Sequence, residues 1–166
     1  MIPLPLVTPD DKRPANAGFA QVMLNNLTGQ RSLHATRFFD AGDIICTFGA
    51  GSVQTEASYL TVQTDIDRHI TLQPEFLQYI NHSCGPNVFF NTTSFELEAL
   101  KAIQPGDELM FFYPSTEWNM AQPFECYCGS SQCLQQIRGA AHLTDDELRP
   151  YKLTDFIRHQ LQKRKQ

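Results

Sequence analysis

Residues 81–87, Asn-His-Ser-Cys-Gly-Pro-Asn, constrain this chain more than any other stretch. They lie between two apolar runs, Phe76-Leu77-Gln78-Tyr79-Ile80 and Val88-Phe89-Phe90. A turn between two strands needs a glycine or a proline, not three further hydrogen-bonding side chains and a cysteine. Asn81, His82 and Ser83 supply donors and acceptors, and Cys84 supplies a potential metal ligand. The plain alternative is a polar loop with a buried cysteine.

The remaining cysteines bear on that choice. The chain has five, Cys46, Cys84, Cys126, Cys128 and Cys133. The N-terminal stretch Met-Ile-Pro-Leu-Pro-Leu-Val-Thr-Pro has no basic region and is broken by prolines, so it does not read as a signal peptide. An odd cysteine count then reads as intracellular thiols, not a disulfide framework. Three thiolates in Cys126-x-Cys128-x4-Cys133 can wrap a tetrahedral zinc but leave it one ligand short. Cys84 can supply the fourth, with His142 as a substitute; a redox pair or a lone reactive thiol are the other readings. Cys46, inside Ile44-Ile45-Cys46-Thr47-Phe48, reads as a small buried hydrophobe.

Residues 81–87 match the hallmark Asn-His-Ser-Cys-x-Pro-Asn at every fixed position, and here the chain resembles the SET-domain protein-lysine methyltransferases. Gly106-Asp107-Glu108-Leu109 leading to Tyr113 resembles their second hallmark, with Phe112 where Asp is frequent. The cysteine motif, Gly129 and the continuation Ile137-Arg138-Gly139 resemble the zinc-binding segment that follows the catalytic domain in many members. The resemblance implies a mostly β fold of small curved sheets with a knot-like C-terminal threading. It implies S-adenosylmethionine as donor and a structural Zn2+ held by Cys84, Cys126, Cys128 and Cys133. By the same resemblance Tyr113 is the catalytic residue that orients the amine. Arg31, Ser32, Leu33, Asn81, His82 and Phe124 hold the donor, and Tyr79, Phe112 and Trp118 line the substrate channel. Two further departures stand out. Gln30-Arg31-Ser32 occupies the place of the family's Gly-x-Gly, with Gly29 nearby but out of register, and Gln78 stands where Arg is frequent.

With 166 residues, 42% hydrophobic and 19% charged, the chain suits one globular domain with a real core. A net charge of −5 argues against a dedicated nucleic-acid binder and mildly favours a basic peptide substrate. No apolar run approaches the ~18 residues of a membrane span. The expected order is an irregular arm at 1–18, the SET domain at 19–120, a zinc segment at 121–139 and a helical tail at 140–166. Strands are expected near 19–27, 33–39 and 44–48, with a hairpin from Val88–Asn91 to Phe95–Leu100. Residues 55–75 form a short insert, with one helical turn at 55–60 and strand-like character at 62–72. His69 reads as a sheet-surface histidine. Thr144 and Thr154 are placed to cap two C-terminal helices, interrupted by Pro150.

The expected activity is methyl transfer from S-adenosylmethionine to a protein or peptide lysine, a histone being the family's habitual substrate. The expected location is intracellular, cytoplasm or nucleus. Two other readings stay open. One is a non-catalytic SET module that binds a partner; the other is an enzyme of this fold acting on a small molecule, which the short insert permits.

Overall fold

A computed structural model describes residues 6–13 and 18–166. Thirteen short strands are formed among them: β1 Val7–Pro9, β2 Ala20–Asn25, β3 Arg31–Ala35, β4 Ile44–Thr47, β5 Gly49–Gln54, β6 Thr61–Asp65, β7 Arg68–Gln73, β8 Asn81–His82, β9 Val88–Asn91, β10 Glu96–Ala99, β11 Met110–Phe111, β12 Phe124–Glu125 and β13 Gln136–Ile137. Two α-helices close the chain, α1 Asp145–Leu148 and α2 Asp155–Arg164. The fold is mostly β, as the sequence implies.

The strands form three three-stranded sheets, ordered β1-β2-β3, β4-β10-β9 and β5-β7-β6, and two pairs, β8-β11 and β12-β13. Alternation explains the middle sheet. Leu97 and Ala99 of β10 are buried against the core while Glu96 and Glu98 turn outward. Leu33, Ile70, Leu77, Phe90, Leu97 and Leu109 are fully buried in one cluster shared by the three sheets.

Several expectations need correction. Residues 1–18 are not irregular throughout: Val7–Pro9 pairs with Met23–Asn25, an edge position where Pro9 is tolerated. Residues 1–5 and 14–17 lie outside the described residues. No helical turn forms at 55–60, and the strand-like stretch 62–72 is a hairpin, β6 to β7, reversed at Ile66-Asp67. The strand expected over 33–39 runs instead from Arg31 to Ala35, because the hairpin before it closes around Gly29. Gly29 has φ +73, its N–H donates to Asn25 O at 2.8 Å, and Leu24 pairs with Arg31. Rebuilding the turn this way places Gln30 just before β3 and Arg31-Ser32 at its start.

The 81–87 segment is locked by pairing with the second hallmark. β8 runs parallel to β11, with Asn81 opposite Met110 and His82 opposite Phe111. Asn87 grips the same strand with both ends of its amide. Its Nδ2 donates to Glu108 O and its Oδ1 accepts from Met110 N, each at 2.8 Å. The last position of the heptapeptide thus fixes the first.

A second core lies under the C-terminal segment and contains Cys84, Phe112, Cys126, Ile137, Leu148 and Ile157. The expected caps are present. Thr144 forms a capping box with Glu147, and Thr154 Oγ1 accepts from Ile157 N. Arg164, in the last turn of α2, donates to Leu143 O and Asp145, each at 2.9 Å, tying the two helices together.

Gly139 marks the hinge of this layer. It has φ +111, and a Cβ there would meet Trp118 O at 2.5 Å. The 140–142 turn after it donates to the backbone of Glu117 and Trp118, from Ala140 N and Ala141 N, each at 2.9 Å. Gly139→Ala is expected to destabilise the protein by about 3 kcal/mol or more, read as a lowered urea midpoint.

Candidate functional site

A cavity of about 920 Å3 opens between the β8–β11 pair, the β5-β7-β6 sheet and the 120–128 segment. That volume is near the top of the usual range of about 300–1,000 Å3 for ligand sites. Of the residues singled out from sequence, Arg31, Tyr79, Asn81, His82, Tyr113 and Phe124 border it, as do Cys126 and Cys128 of the cysteine cluster.

Tyr113 opens a 3₁₀ turn, Tyr113–Ser115, directly after β11, with Pro114 fixing the backbone that ends the strand. Its ring packs against Phe111, His82 and Phe124 at centroid distances of 4.6, 5.1 and 5.9 Å. Its hydroxyl lies 3.5 Å from Ile80 O. Burial, then the Glu117 and Glu108 carboxylates, pushes the phenol up to about 12, so it stays protonated.

His82 connects this wall to the cysteines. Its Nδ1 accepts from Tyr113 N at 3.1 Å, which leaves the proton on Nε2, 3.4 Å from Cys84 Sγ. Burial lowers its pKa to about 4, so the ring is neutral. Asn81 Nδ2 donates to Arg31 O at 2.9 Å, stapling β8 to the start of β3. The Arg31 guanidinium is itself bound to Asp10 at 2.7 Å, a contact that holds the Asp10 carboxyl below its usual range. Tyr79 accepts a hydrogen bond from Arg13 Nη1 at 2.8 Å.

Four of the residues expected at the donor or in the channel do not reach the cavity. Leu33 is fully buried in the main core, and Ser32 bonds His34 Nε2 at 2.9 Å. Phe112 is 1% exposed and stacks on Tyr151 at 3.6 Å and 8°. Phe111, the last residue of β11, borders the cavity, and Phe112, between the strand and the 3₁₀ turn, packs into the second core. Trp118 lies after the 3₁₀ turn and packs in that second core, with the Arg164 guanidinium 5.9 Å from its ring.

Cys84, Cys126, Cys128 and Cys133 are brought together, their sulfurs all within 4.8 Å of one another. A tetrahedral ion with Zn–S bonds of about 2.3 Å needs sulfurs about 3.8 Å apart, so the donor set fits zinc with small adjustment. Burial pushes the Cys84 thiol up and Cys126 up to about 11. A divalent cation reverses that by stabilising thiolates. The partners around Cys84 suit a thiolate too: Leu134 N and His82 Nε2 both point at its sulfur from 3.4 Å. Tyr151 donates to Cys84 O at 2.7 Å. Cys46 stands apart in β4, its thiol pushed up to about 11 by burial, and His142 bonds Asn119 instead of joining the cluster.

Sequence motifs did not single out Glu117. It is 7% exposed, borders the cavity, and accepts from Gln63 N at 2.9 Å and Thr116 Oγ1 at 2.7 Å. Burial pushes its carboxyl up to about 7. With Glu108 and Glu125 it makes three acids on the cavity border against one cation, Arg31. That balance suits cationic ligands.

The aromatic-walled cavity and the four gathered thiols stand where the resemblance implies a donor site and a zinc site. The SET domain family model matches residues 30–114, and the chain belongs to that family. Methyltransferase flvH of Aspergillus flavus is 34% identical over 152 residues, which cover 90% of this chain and 85% of that protein. The H3 lysine-36 specific histone-lysine N-methyltransferase of Chaetomium globosum is 35% identical over 68 residues, 37% of this chain and only 8% of that protein. The structure described as KRYPTONITE in complex with mCHH DNA, H3(1-15) peptide and SAH shares the fold. It has a TM-score of 0.53 and 22% identity, and the match covers 71% of this chain and 29% of that one. No helix among the described residues is long and apolar enough to cross a membrane.

Proposed function

We propose that this protein is an S-adenosylmethionine-dependent N-methyltransferase acting on a lysine amine of a protein or peptide. The observation that carries the reading is the shared wall of one cavity, where a half-buried, protonated Tyr113 adjoins His82, Asn81 and the half-exposed Phe124. The donor supplies an activated methyl on a cationic sulfonium, and the acidic cavity border favours that charge. Phe124 offers a ring face to the adenine, and Asn81 and His82 form the adjoining floor. A lysine amine must be neutral when it reacts, and deprotonating it in water costs about 3 kcal/mol at pH ~8. Tyr113 then orients its lone pair, so positioning carries much of the rate. The zinc set Cys84, Cys126, Cys128 and Cys133 keeps the 124–137 segment over the cavity.

A free small amine is the second reading. It is favoured by the relative that matches over most of its own length, which is named simply as a methyltransferase, and by the carboxylate buried in the cavity. Calorimetric titration of S-adenosylmethionine and S-adenosylhomocysteine into zinc-loaded protein tests donor use. A Kd of about 1–100 μM is expected. No binding to either overturns the enzyme reading in favour of a donor-less interaction module. Methyl transfer to histone H3 peptides compared with free L-lysine then separates the two substrate classes.

A further inference from the structure

Glu117 is a buried carboxylate with a free oxygen in the cavity. Both of its accepted hydrogen bonds fall on Oε2, and Oε1 receives none among the described residues. No cation pairs with it among those residues, although an unpaired buried carboxylate is costly. Its backbone is nevertheless held at three points. Glu117 N donates to Tyr113 O at 3.0 Å, Glu117 O accepts from Ala140 N at 2.9 Å, and the next N–H, of Trp118, donates to Gln63 Oε1 at 2.9 Å. Gln63 thus grips both sides of the residue from β6. A carboxylate this firmly placed, this buried and this poorly paired fits a cation that arrives from outside.

We propose that Glu117 receives the accepting amine, its free Oε1 taking the entering ammonium as an ion pair and then one of its protons, which leaves a neutral amine beside Tyr113. The inference rests on the methyltransferase reading and names the residue that selects its substrate. In the first step one N–H bond breaks, one O–H bond forms and the two charges cancel. The amine lone pair then forms the new N–C bond as the S–C bond of the donor breaks, its electron pair staying on sulfur. The proton on Glu117 returns to solvent as the methylated ammonium leaves.

Burial drives the transfer in the needed direction, because desolvation disfavours both charged partners. In water the two groups lie about 6 pK units apart. With the Glu117 carboxyl already pushed up to about 7, about 3 remain for desolvation of the amine to close. The surrounding groups do not compete for the role. Arg31 is bound to Asp10, His82 is neutral, and His69, opposite Gln63 on β7, is held toward neutrality by burial against the pull of Asp67. Glu108 and Glu125 add negative charge that favours cation entry.

The test uses n-butylamine, a lysine side-chain mimic, and its neutral isostere n-butanol. Each is titrated by calorimetry into zinc-loaded full chain with excess S-adenosylhomocysteine at pH ~8, in two buffers of different ionisation enthalpy. Wild type is expected to prefer the amine about tenfold or more, with no net proton exchanged, because the proton stays inside the complex. Glu117→Gln is expected to lose that preference and to release about one proton per bound amine, since only the neutral form can then enter. Equal wild-type affinity for the two probes overturns the proposal, as does an unchanged preference in Glu117→Gln or identical proton release in both proteins. Should the variant fail to fold, wild-type preference and proton count alone decide. Failure of S-adenosylhomocysteine to bind strikes the methyltransferase reading separately, while the amine preference is still read on the zinc-loaded protein.

Discussion

Tyr113→Phe is expected to lower kcat for methyl transfer about 100-fold while leaving donor affinity within about twofold. The substitution removes one oxygen and no ring contact. The packing of the Tyr113 ring on Phe111, His82 and Phe124 is retained, so the donor-facing wall keeps its shape. The hydroxyl lies 3.5 Å from Ile80 O, too far for a strong bond, so its loss should change stability by less than about 1 kcal/mol. What disappears is a fixed dipole at the reacting end of the cavity. Its fixity comes from the Pro114 turn, from Tyr113 N bound to His82 and from burial that keeps the phenol protonated. Single-turnover rates of methyl transfer, with S-adenosylhomocysteine affinity measured in parallel, check the split. A variant that turns over like wild type would remove Tyr113 from the reaction centre.

The sequence disclosed this wall unevenly, and the reasons are physical. Short-range patterns were readable. The hairpin after residue 87 and the Thr144 and Thr154 caps depend on neighbours within a few residues; the caps form as read, and the second strand of the hairpin is Glu96–Ala99, with Phe95 at φ +58 before it. The heptapeptide and the cysteine spacing carried long-range information, because each residue type in them has a specific partner: Asn87 grips residues 108–110, and Cys84 meets the C-terminal thiols. Direction of side chains around a break was not readable. Phe112 follows a two-residue strand and precedes a proline turn, so nothing local says that it faces Tyr151 while Phe111 faces the cavity. Glu117 was silent for another reason. Its environment is made by Gln63, which lies 54 residues away in a hairpin read only as strand-like. The Gln30-Arg31-Ser32 departure replaces the family's Gly-x-Gly, yet the hairpin closes around Gly29 and both Gln30 and Arg31 border the cavity.

Removing Cys84, a proposed zinc ligand, should cost more than removing any group of the cavity itself. Zinc sites of this size fold the segments that carry them, with apparent binding free energies of about 10–16 kcal/mol in small domains. Here three of the four sulfurs lie in the 126–133 loop, and the flanking pair β12-β13 has only two residues in each strand. That pair cannot hold its own order, since isolated two-stranded hairpins are marginal in water. Phe124, the aromatic that reaches the cavity, sits in β12, so its position depends on the cluster. Cys84→Ser is therefore expected to lose stoichiometric zinc, to expose 121–135 to proteolysis and to weaken S-adenosylhomocysteine binding by more than about 100-fold. The main core, with Phe90, Leu97 and Ile70, belongs to a different cluster and should keep its strands, seen as retained far-ultraviolet circular dichroism. Cys46→Ser is the matched control. It removes a thiol that stands alone in β4 and should leave zinc content and donor affinity unchanged. Chelation of the wild type should reproduce the Cys84→Ser phenotype, and readdition of zinc should reverse it. Metal analysis, limited proteolysis and titration of the donor product read the three effects independently. A zinc-free protein with an ordered 121–135 segment and full donor affinity would show that β12-β13 and Phe124 are held by packing alone.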